Sequence, residues 1–361
     1  MPLYMDQHIL PGVKAKDVAE AHQMDMLIQH DHSCNCITYW IDEKRGNVFC
    51  LIEAPSKEAV QALHGQSHGL VPNKVIEVNS SIVESFLGRI TDPEDVVMQD
   101  GLKVFNNTSF RILMVVRISD VALLQQQLGR SKTNELIVQY NTALRKILTE
   151  HGGREIENDK NDFVISFTAT NKAIACALEI NDALSVINDL GWKIAVSAGD
   201  PVANNEQLFG DTIQLAERML SIIKDAPILI SSNVKDLLAK EYIDNAAIHV
   251  LSPADEELLN ALFNTLEENW QENDFSIEDY CASIAMSKSQ LYRKTLALSG
   301  LSPNLFLKEF RLQKAKELLK KQRNNISEIT FNTGFTSPSY FTKCFKKKFG
   351  ITPLAYLEEI L

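Results

Sequence analysis

Apolar residues recur with two different periods in the first part of the chain, and these periods predict strands and helices. Alternating apolar positions predict strands over residues 3–10, 36–41, 47–53 and 75–78. Apolar residues spaced by three or four predict helices over residues 16–29 and 56–68. The resulting order, β-α-β-β-α-β, is that of a ferredoxin-like α+β fold.

A longer alternation of strand and helix patterns fills the middle of the chain. Proline-containing acidic segments at residues 91–95 and 251–255 are predicted to be linkers on either side of it. We therefore expect a multidomain chain with domains at residues 1–88, 108–251 and 256–361. Within the middle domain, an α/β fold is predicted from strands at residues 112–116, 155–157, 163–167, 192–199 and 227–231, and from helices at residues 120–128, 131–150, 173–190 and from 209.

The last part of the chain has helical patterns that form two similar units. Ser276 is the predicted N-cap of one helix and a second helix is predicted to begin at Ser287, while Gly334 and Pro338 mark the turn and the second helix of a second pair. Each pair is followed by the same Gly-x-x-Pro sequence, at residues 300–303 and 350–353. An all-α domain with two helix-turn-helix units can place two short helices in successive major grooves, about 34 Å apart.

Helix phase indicates which side chains of these units face a groove. In the last of the four helices, Tyr340, Phe341 and Phe345 are expected to point toward a core. Arg293 and Lys343 are the sharpest candidates for base contacts, because Arg and Lys pair with the groove edge of guanine. The full set of expected DNA contacts is Lys288, Ser289, Tyr292, Arg293, Ser339, Thr342 and Lys343.

A long signature runs through the second unit. It comprises Ala315-Lys316-Glu317-Leu318-Leu319, Ile326-Ser327-Glu328-Ile329 and residues 334–353, in which glycines, aromatics and prolines fall in register. These segments resemble the AraC/XylS-type transcription regulators, although Tyr280-Cys281 stands where that family usually has Leu-Ala. The resemblance implies a sequence-specific regulator whose partner is double-stranded DNA.

Charge separates the C-terminal domain from the rest of the chain. From Asp274 to Leu361 there are 14 Lys and Arg residues against 8 Asp and Glu residues, a balance of +6. The whole chain carries −11, which leaves −17 for the preceding residues. Because Lys and Arg release counterions from phosphate, only the C-terminal domain is expected to approach DNA.

Length and composition suit several globular domains. The chain has 361 residues, 45% of them hydrophobic, and no apolar run approaches the length of a membrane span. The first residues lack the basic and apolar regions of a signal peptide, and the six cysteines are scattered as reduced thiols would be. A cytoplasmic protein without a membrane partner is predicted.

Histidines are concentrated in the first domain. Six of the eight histidines and three of the six cysteines lie within the first 68 residues. His64 and His68 are four residues apart, so both rings project from one helix face with a spacing that suits a transition metal. An incidental pair on a polar surface is the alternative interpretation.

Short segments spread over this domain carry a second resemblance. They are Met5-Asp6-x-His8, Ala21-His22-x-x-Asp25, Tyr39-Trp40-x-Asp42, residues 48–55 and His64-x-x-x-His68-Gly69-Leu70. They resemble a family of small ferredoxin-like proteins, some of which bind nickel. The resemblance implies a transition metal, nickel or zinc, with Asp25 as a further ligand or outer partner. The implied ligands are His8, His22, His64, His68 and Cys50.

Glycine-centred segments of the middle domain carry a third resemblance. Residues 152–156 and Gly210-Asp211-Thr212 with Ala216-x-Arg218 resemble class III nucleotidyl cyclases, whose fold is related to the ferredoxin-like one. Cyclase chemistry needs two carboxylates that hold two metal ions. The resemblance puts Arg117 where the first carboxylate belongs, and Glu157 and Lys160-Asn161 at other altered positions. Since a guanidinium repels a cation, the chain is expected not to be an enzyme.

The same resemblance implies two further roles for the middle domain. Cyclase-like domains pair face to face, so this domain is expected to form a homodimer. Arg218 is either an anion contact for a bound ligand or an ordinary residue of a helix surface.

These expectations combine into one function with two alternatives. The chain is predicted to be a dimeric, DNA-binding transcription regulator that responds to a transition metal or small ligand at its N-terminal domain. The alternatives are an active nucleotide cyclase that carries a DNA-binding module, and a metal-buffering protein.

Overall fold

The N-terminal domain has the predicted ferredoxin-like order. The computed structural model describes residues 1–94, 96–156, 162–187, 189–223, 227–321 and 325–360. The sheet is antiparallel with the order β2-β3-β1-β4. Its elements are β1 (Leu3–Ile9), α1 (Ala15–Ile28), β2 (Asn35–Asp42), β3 (Asn47–Glu53), α2 (Lys57–Ser67) and β4 (Lys74–Val78).

A helix that the sequence patterns did not predict leads out of this domain. It is α3 (Ser80–Leu87), which Asn79 caps by accepting a hydrogen bond from the amide of Ser81. A short hairpin of β5 (Val97–Gln99) and β6 (Leu102–Val104) follows. The carbonyl of Phe86, near the end of α3, accepts hydrogen bonds from the side chains of Arg111 and Ser166 in the middle domain. This helix therefore joins the two domains.

The middle domain is built on a six-stranded sheet with the order β12-β11-β10-β7-β9-β8. Its strands are β7 (Arg111–Ile118), β8 (Arg154–Ile156), β9 (Phe163–Phe167), β10 (Trp192–Gly199), β11 (Ile228–Ile230) and β12 (Ile248–Val250). Its helices are α4 (Val121–Leu128), α5 (Arg130–His151), α6 (Thr170–Ser185), α7 (Gly210–Ile222), α8 (Ser232–Asp236) and α9 (Lys240–Ile243).

The central strand of this sheet is buried on both faces. Ile112 and Met114 of β7 belong to an apolar core with residues of α5 and α6. Leu113 belongs to a second core, which also contains Phe86 of α3 and Met5 of the N-terminal sheet. The two sheets thus share one apolar core, with α3 and α7 contributing to it.

The C-terminal domain is all-α, as predicted. Its helices are α10 (Pro253–Asn269), α11 (Ile277–Ser283), α12 (Lys288–Ser299), α13 (Pro303–Lys321), α14 (Ile326–Asn332), α15 (Pro338–Phe349) and α16 (Pro353–Ile360). None of the helices in the described ranges is both long and apolar enough to cross a bilayer.

The predicted linker at residues 251–255 is wrong. Ser252 caps α10 by accepting a hydrogen bond from the amide of Asp255, and Pro253 occupies the first turn, where its missing N–H costs nothing. Leu259 and Leu262 of α10 are fully buried in the core that contains Met219 of α7. This segment therefore begins a helix that packs against the middle domain.

The predicted starts and turns of the helix-turn-helix units are confirmed. Ser276, Ser287 and Ser337 cap α11, α12 and α15 with their hydroxyl groups. Gly334 lies in the turn of the second unit with φ +73°, and a Cβ there would come within 2.7 Å of the Trp270 carbonyl oxygen. Glycine is needed at this position for both reasons.

One predicted core residue of the second unit is wrong. Tyr340 is 52% exposed, whereas Phe341 and Phe345 are fully buried as expected. The buried positions of α15 are 341, 344, 345 and 349, a helical spacing that turns Tyr340 about 100° away from Phe341.

Candidate functional sites

A buried polar cluster lies between the N-terminal sheet and its two helices. Asp6 and His8 are two residues apart on β1 and therefore share one face of the sheet. Cys50 of β3 is directly opposite Asp6, and His64 of α2 reaches the same face. Ligand atoms of these four residues all lie within 4.8 Å of one another.

His64 connects this cluster to a second one. Its Nε2 is 2.8 Å from Asp6 Oδ2, and its Nδ1 is 3.0 Å from Asp25 Oδ2 and 3.1 Å from His68 Nε2. Asp25, His64 and His68 form a second group whose ligand atoms lie within 4.8 Å of one another. One imidazole thus lies between two carboxylates, both of which are almost fully buried.

The electrostatics of the cluster follow from this arrangement. Burial alone would lower the pKa of His64, but the Asp6 and Asp25 carboxylates outweigh it and raise the pKa to about 10. Burial would raise the pKa of Asp6, but its pairing with His64 and His8 holds that pKa well below its usual range. Burial, with Asp6 nearby, raises the pKa of the Cys50 thiol well above its ordinary value.

The cluster lines a cavity of about 60 Å³, which is large enough to admit an ion. Four of the five predicted metal ligands line this cavity and belong to the two groups: His8, Cys50, His64 and His68. His22 also lines it, but its ring packs on Tyr39 with a centroid distance of 5.3 Å, and neither group includes it. The role of His22 as a ligand stays a prediction, and Asp6 joins the first group.

The sequence contains signals for the two carboxylates. Asp6 alternates with Tyr4 and His8 on the buried face of β1, where an unpaired acid would be costly. Asp25 is seven residues after Val18, on the buried face of α1. A charged residue in phase with buried positions therefore identifies both.

The predicted DNA contacts lie on open surfaces of α12 and α15. Lys288, Ser289, Tyr292 and Arg293 are exposed, and so are Ser339 and Lys343, whereas Thr342 is half-buried. Lys288 forms an ion pair with Glu278. Most of these residues are therefore accessible on the surfaces of α12 and α15, and their contact with DNA stays a prediction.

The lysine run at the end of α15 is not uniform. Lys346 and Lys347 are exposed, whereas Lys348 is half-buried. The Lys348 ammonium forms an ion pair with the Glu309 carboxylate and donates to the Glu309 carbonyl oxygen at 3.0 Å. Burial lowers the pKa of Lys348, although Glu309 opposes the change.

Two arginines of the middle domain have protein partners. Arg117 binds the Asp162 carboxylate, with its Nε 2.9 Å from Oδ2. Arg218 is 4% exposed and donates to the side-chain oxygens of three α10 residues at 2.6–3.0 Å. It is therefore neither a surface residue nor directed at open space. Glu157 and Lys160-Asn161, the other positions altered from the cyclase pattern, lie outside the described residues.

Two family models match the ends of the chain. The model described as "Nickel responsive protein SCO4226-like" matches residues 4–78, and the model described as "Helix-turn-helix domain" matches residues 280–359. These segments contain the buried cluster and the predicted DNA contacts, respectively.

Known proteins are similar to parts of the chain. The HTH-type transcriptional regulator MtrA of Neisseria gonorrhoeae is 36% identical over 88 residues, which is 24% of this chain and 29% of MtrA. The crystal structure of SCO4226 from Streptomyces coelicolor A3(2) is 32% identical, covers 21% of this chain and 94% of its own, and has a TM-score of 0.20. A bacterial light-regulated adenylyl cyclase is 14% identical, covers 67% of this chain and 88% of its own, and has a TM-score of 0.33.

These similarities are partial. The chain spans 8%, 29% and 33% of the lengths of the first three curated relatives that it matches. Within those limits, the chain carries a domain of the nickel-responsive SCO4226-like family at residues 4–78 and an AraC-type helix-turn-helix domain at residues 280–359.

Proposed function

We propose that this protein is a DNA-binding transcription regulator whose N-terminal domain responds to a transition metal. The observation that carries the proposal is the AraC-type domain with its predicted base contacts on open faces of two recognition helices. The positive net charge of this domain, within a chain whose net charge is negative, supports the same function.

DNA binding is tested with the full-length protein and a pool of randomised duplexes. Repeated selection by gel retardation should enrich a common sequence with two half-sites, because two helices read two grooves. The affinity should fall steeply as salt is raised, since Lys and Arg displace counterions. If the protein retards no duplex at low ionic strength, the proposed DNA binding is wrong.

The metal would be held by the buried cluster of the N-terminal domain. Its donors would come from the two groups that share His64, which are Asp6, His8, Cys50 and His64, and Asp25, His64 and His68. This donor set fits nickel and zinc, because imidazole suits both and a thiolate suits the softer metals. A bound divalent ion supplies positive charge that stabilises a deprotonated thiol.

Metal binding is tested by substitution in the shared histidine. His64→Ala should reduce nickel or zinc affinity by more than the roughly 10–100-fold typical of an outer partner, since His64 belongs to both groups. Elemental analysis and equilibrium dialysis of the purified protein provide the measurement. His249→Ala is the matched control, because it removes an exposed imidazole from β12. Equal metal content in both variants would contradict the assignment.

The response requires that metal and DNA binding be linked. A metal changes DNA affinity only if it binds one conformation of the protein more tightly than another. We expect the affinity for the selected duplex to differ between metal-loaded and chelated protein. If nickel and zinc bind but leave this affinity unchanged, metal buffering becomes the better function.

The middle domain is assigned no cyclase activity in this proposal. Arg117 carries positive charge at a position where cyclase chemistry needs a carboxylate, and its partner Asp162 is engaged by it. Turnover of ATP or GTP with Mn²⁺ would revive the cyclase alternative.

Pairing of two chains stays a prediction. The sheet face that includes Leu113 and Val115 is buried within the chain, so two middle domains would have to pair through another surface. Light scattering of the purified protein at several concentrations measures its oligomeric state directly.

A further inference from the structure

The two helix-turn-helix units are attached to the rest of the chain in different ways. Tyr280 and Leu291 of the first unit are fully buried in the large core that also contains residues of α7 and α10. Phe341 and Phe345 of the second unit lie in a separate core. The first unit thus shares the large core of α7 and α10, whereas the second unit packs around a core of its own, to which α4 of the middle domain contributes.

The connecting helix α13 belongs to both bodies. Phe306 and Leu307, near its start, lie in the large core, and Leu312, Ala315 and Leu319 lie in the core of the second unit. The angle between the two units therefore depends on the segment between Leu307 and Leu312, and on any other contact that holds the second unit.

Asp120 provides such a contact. It precedes α4 in the middle domain, and its Oδ2 lies 3.0 Å from the ammonium groups of Lys316 and Lys320 of α13. The same oxygen accepts a hydrogen bond of 3.1 Å from the Tyr356 hydroxyl of α16. We name Asp120, Lys316, Lys320 and Tyr356 the Asp120 latch. The Asp120 side chain is 7% exposed and that of Lys316 is 13% exposed, so water screens this pair weakly.

Apolar contacts reinforce the Asp120 latch. Ala122 of α4 is buried in the core of the second unit, and Leu123 packs against the same core. Arg130 of α5 lies 3.9 Å from the Glu359 carboxylate of α16, where Arg130 is exposed and Glu359 is half-buried. The middle domain thus docks on α13 and α16 and leaves the predicted contacts Ser339 and Lys343 of α15 exposed.

We propose that Asp120 is a positioning residue that holds the second helix-turn-helix unit at a fixed orientation to the first, so that the protein prefers one spacing of two DNA half-sites. This rests on the proposed DNA binding and adds the source of spacing specificity. Because the Asp120 latch contacts α13 and α16, it positions the second helix-turn-helix unit without covering its recognition helix, α15.

Asp120→Asn isolates this role. The Asp120 side chain also caps α4 by accepting a hydrogen bond from the Ala122 amide at 3.1 Å, and asparagine is an equally good N-cap. When the amide oxygen keeps this cap, the amide nitrogen takes the place of Oδ2 and can donate to the Tyr356 hydroxyl, whereas the charge that binds Lys316 and Lys320 is lost. Asp182→Asn is the matched control, since it removes one exposed negative charge from α6.

The measurement uses the duplex selected by the wild-type protein and versions with one to five base pairs inserted between its half-sites. Two inserted base pairs should lower the DNA affinity of the wild-type protein by at least about tenfold, because the second helix-turn-helix unit can no longer reach its groove. For Asp120→Asn, affinity at the best spacing should be lower, and the loss on insertion should shrink to less than about threefold. Asp182→Asn should behave as the wild-type protein.

Each contrary result has a distinct meaning. If the wild-type protein retains no duplex, the proposed DNA binding fails. If the DNA affinity of Asp120→Asn depends on half-site spacing as that of the wild-type protein does, or is higher at every spacing, Asp120 does not position the second unit. If Asp120→Asn does not fold, Tyr356→Phe removes the hydroxyl from the same latch. A smaller loss of affinity on insertion than in the wild-type protein would then support the proposal, and an unchanged loss would contradict it.

Discussion

The two ends of the chain place their polar side chains in opposite environments. Asp6 and His64 at the N-terminal end are at most 1% exposed and satisfy one another, whereas Arg293 and Lys343 at the C-terminal end are exposed. A buried charge is stable only with a partner, so the N-terminal residues depend on one another. An exposed side chain is stabilised by water and can be replaced without harm to the fold. The first site should therefore couple ligand binding to stability, and the second should not.

The largest effect that tests this comparison is expected from Asp6→Ala. It removes one carboxylate from His64 and leaves a buried imidazolium with fewer partners, which should reduce the free energy of unfolding by about 3–5 kcal/mol. Urea denaturation of metal-free protein, followed by circular dichroism, measures the change. Glu84→Ala removes an exposed carboxylate from α3 as the control and should change stability by about 0.5 kcal/mol or less. A comparable loss in both variants would show that burial is not the cause.

The fold of each end was predictable because its signals are local. Strand alternation and helical spacing predicted the N-terminal order, and the four-residue spacing of His64 and His68 predicted that their rings lie together, as they do at the C-terminal end of α2. Ser276, Ser287 and Pro338 marked the helix starts of the C-terminal units. Such signals need no knowledge of distant parts of the chain.

The errors arose where one local pattern fits two structures. Ser252-Pro253 begins a helix as readily as it marks a linker, and only burial of α10 against α7 decides between them.

Contacts between domains were beyond local prediction. Asp120 meets Lys320 across 200 residues of sequence and Tyr356 across 236. Arg218 reaches α10 across at least 42 residues. Neither a helical nor a strand period encodes such pairs, because each depends on how whole domains dock.

A smaller effect is expected from Arg293→Ala, which tests the exposed end of the comparison. If Arg293 reads a base, its loss should cost about 1–3 kcal/mol of DNA binding and relax specificity at one position. Because the side chain is exposed, the free energy of unfolding should stay unchanged. Fluorescence anisotropy with the selected duplex measures affinity, and urea denaturation measures stability. Lys240→Ala, at an exposed position of the acidic middle domain, is the control and should alter neither quantity.

The smallest expected effect on DNA binding comes from two adjacent lysines of one run. One of them is exposed and the other is paired, so they repeat the comparison of exposed and buried charges within a single helix. Lys347 is exposed, whereas the ammonium group of Lys348 is held by Glu309. If Lys347 contacts phosphate, Lys347→Ala should weaken binding to all sequences alike and reduce the slope of log affinity against log salt by about 1. Lys348→Ala should leave that slope unchanged, because its charge is already paired within the protein, and should instead destabilise the contact between α15 and α13. Titrations of both variants at four salt concentrations measure the slopes, and equal slopes would mean that burial does not determine which lysines meet DNA.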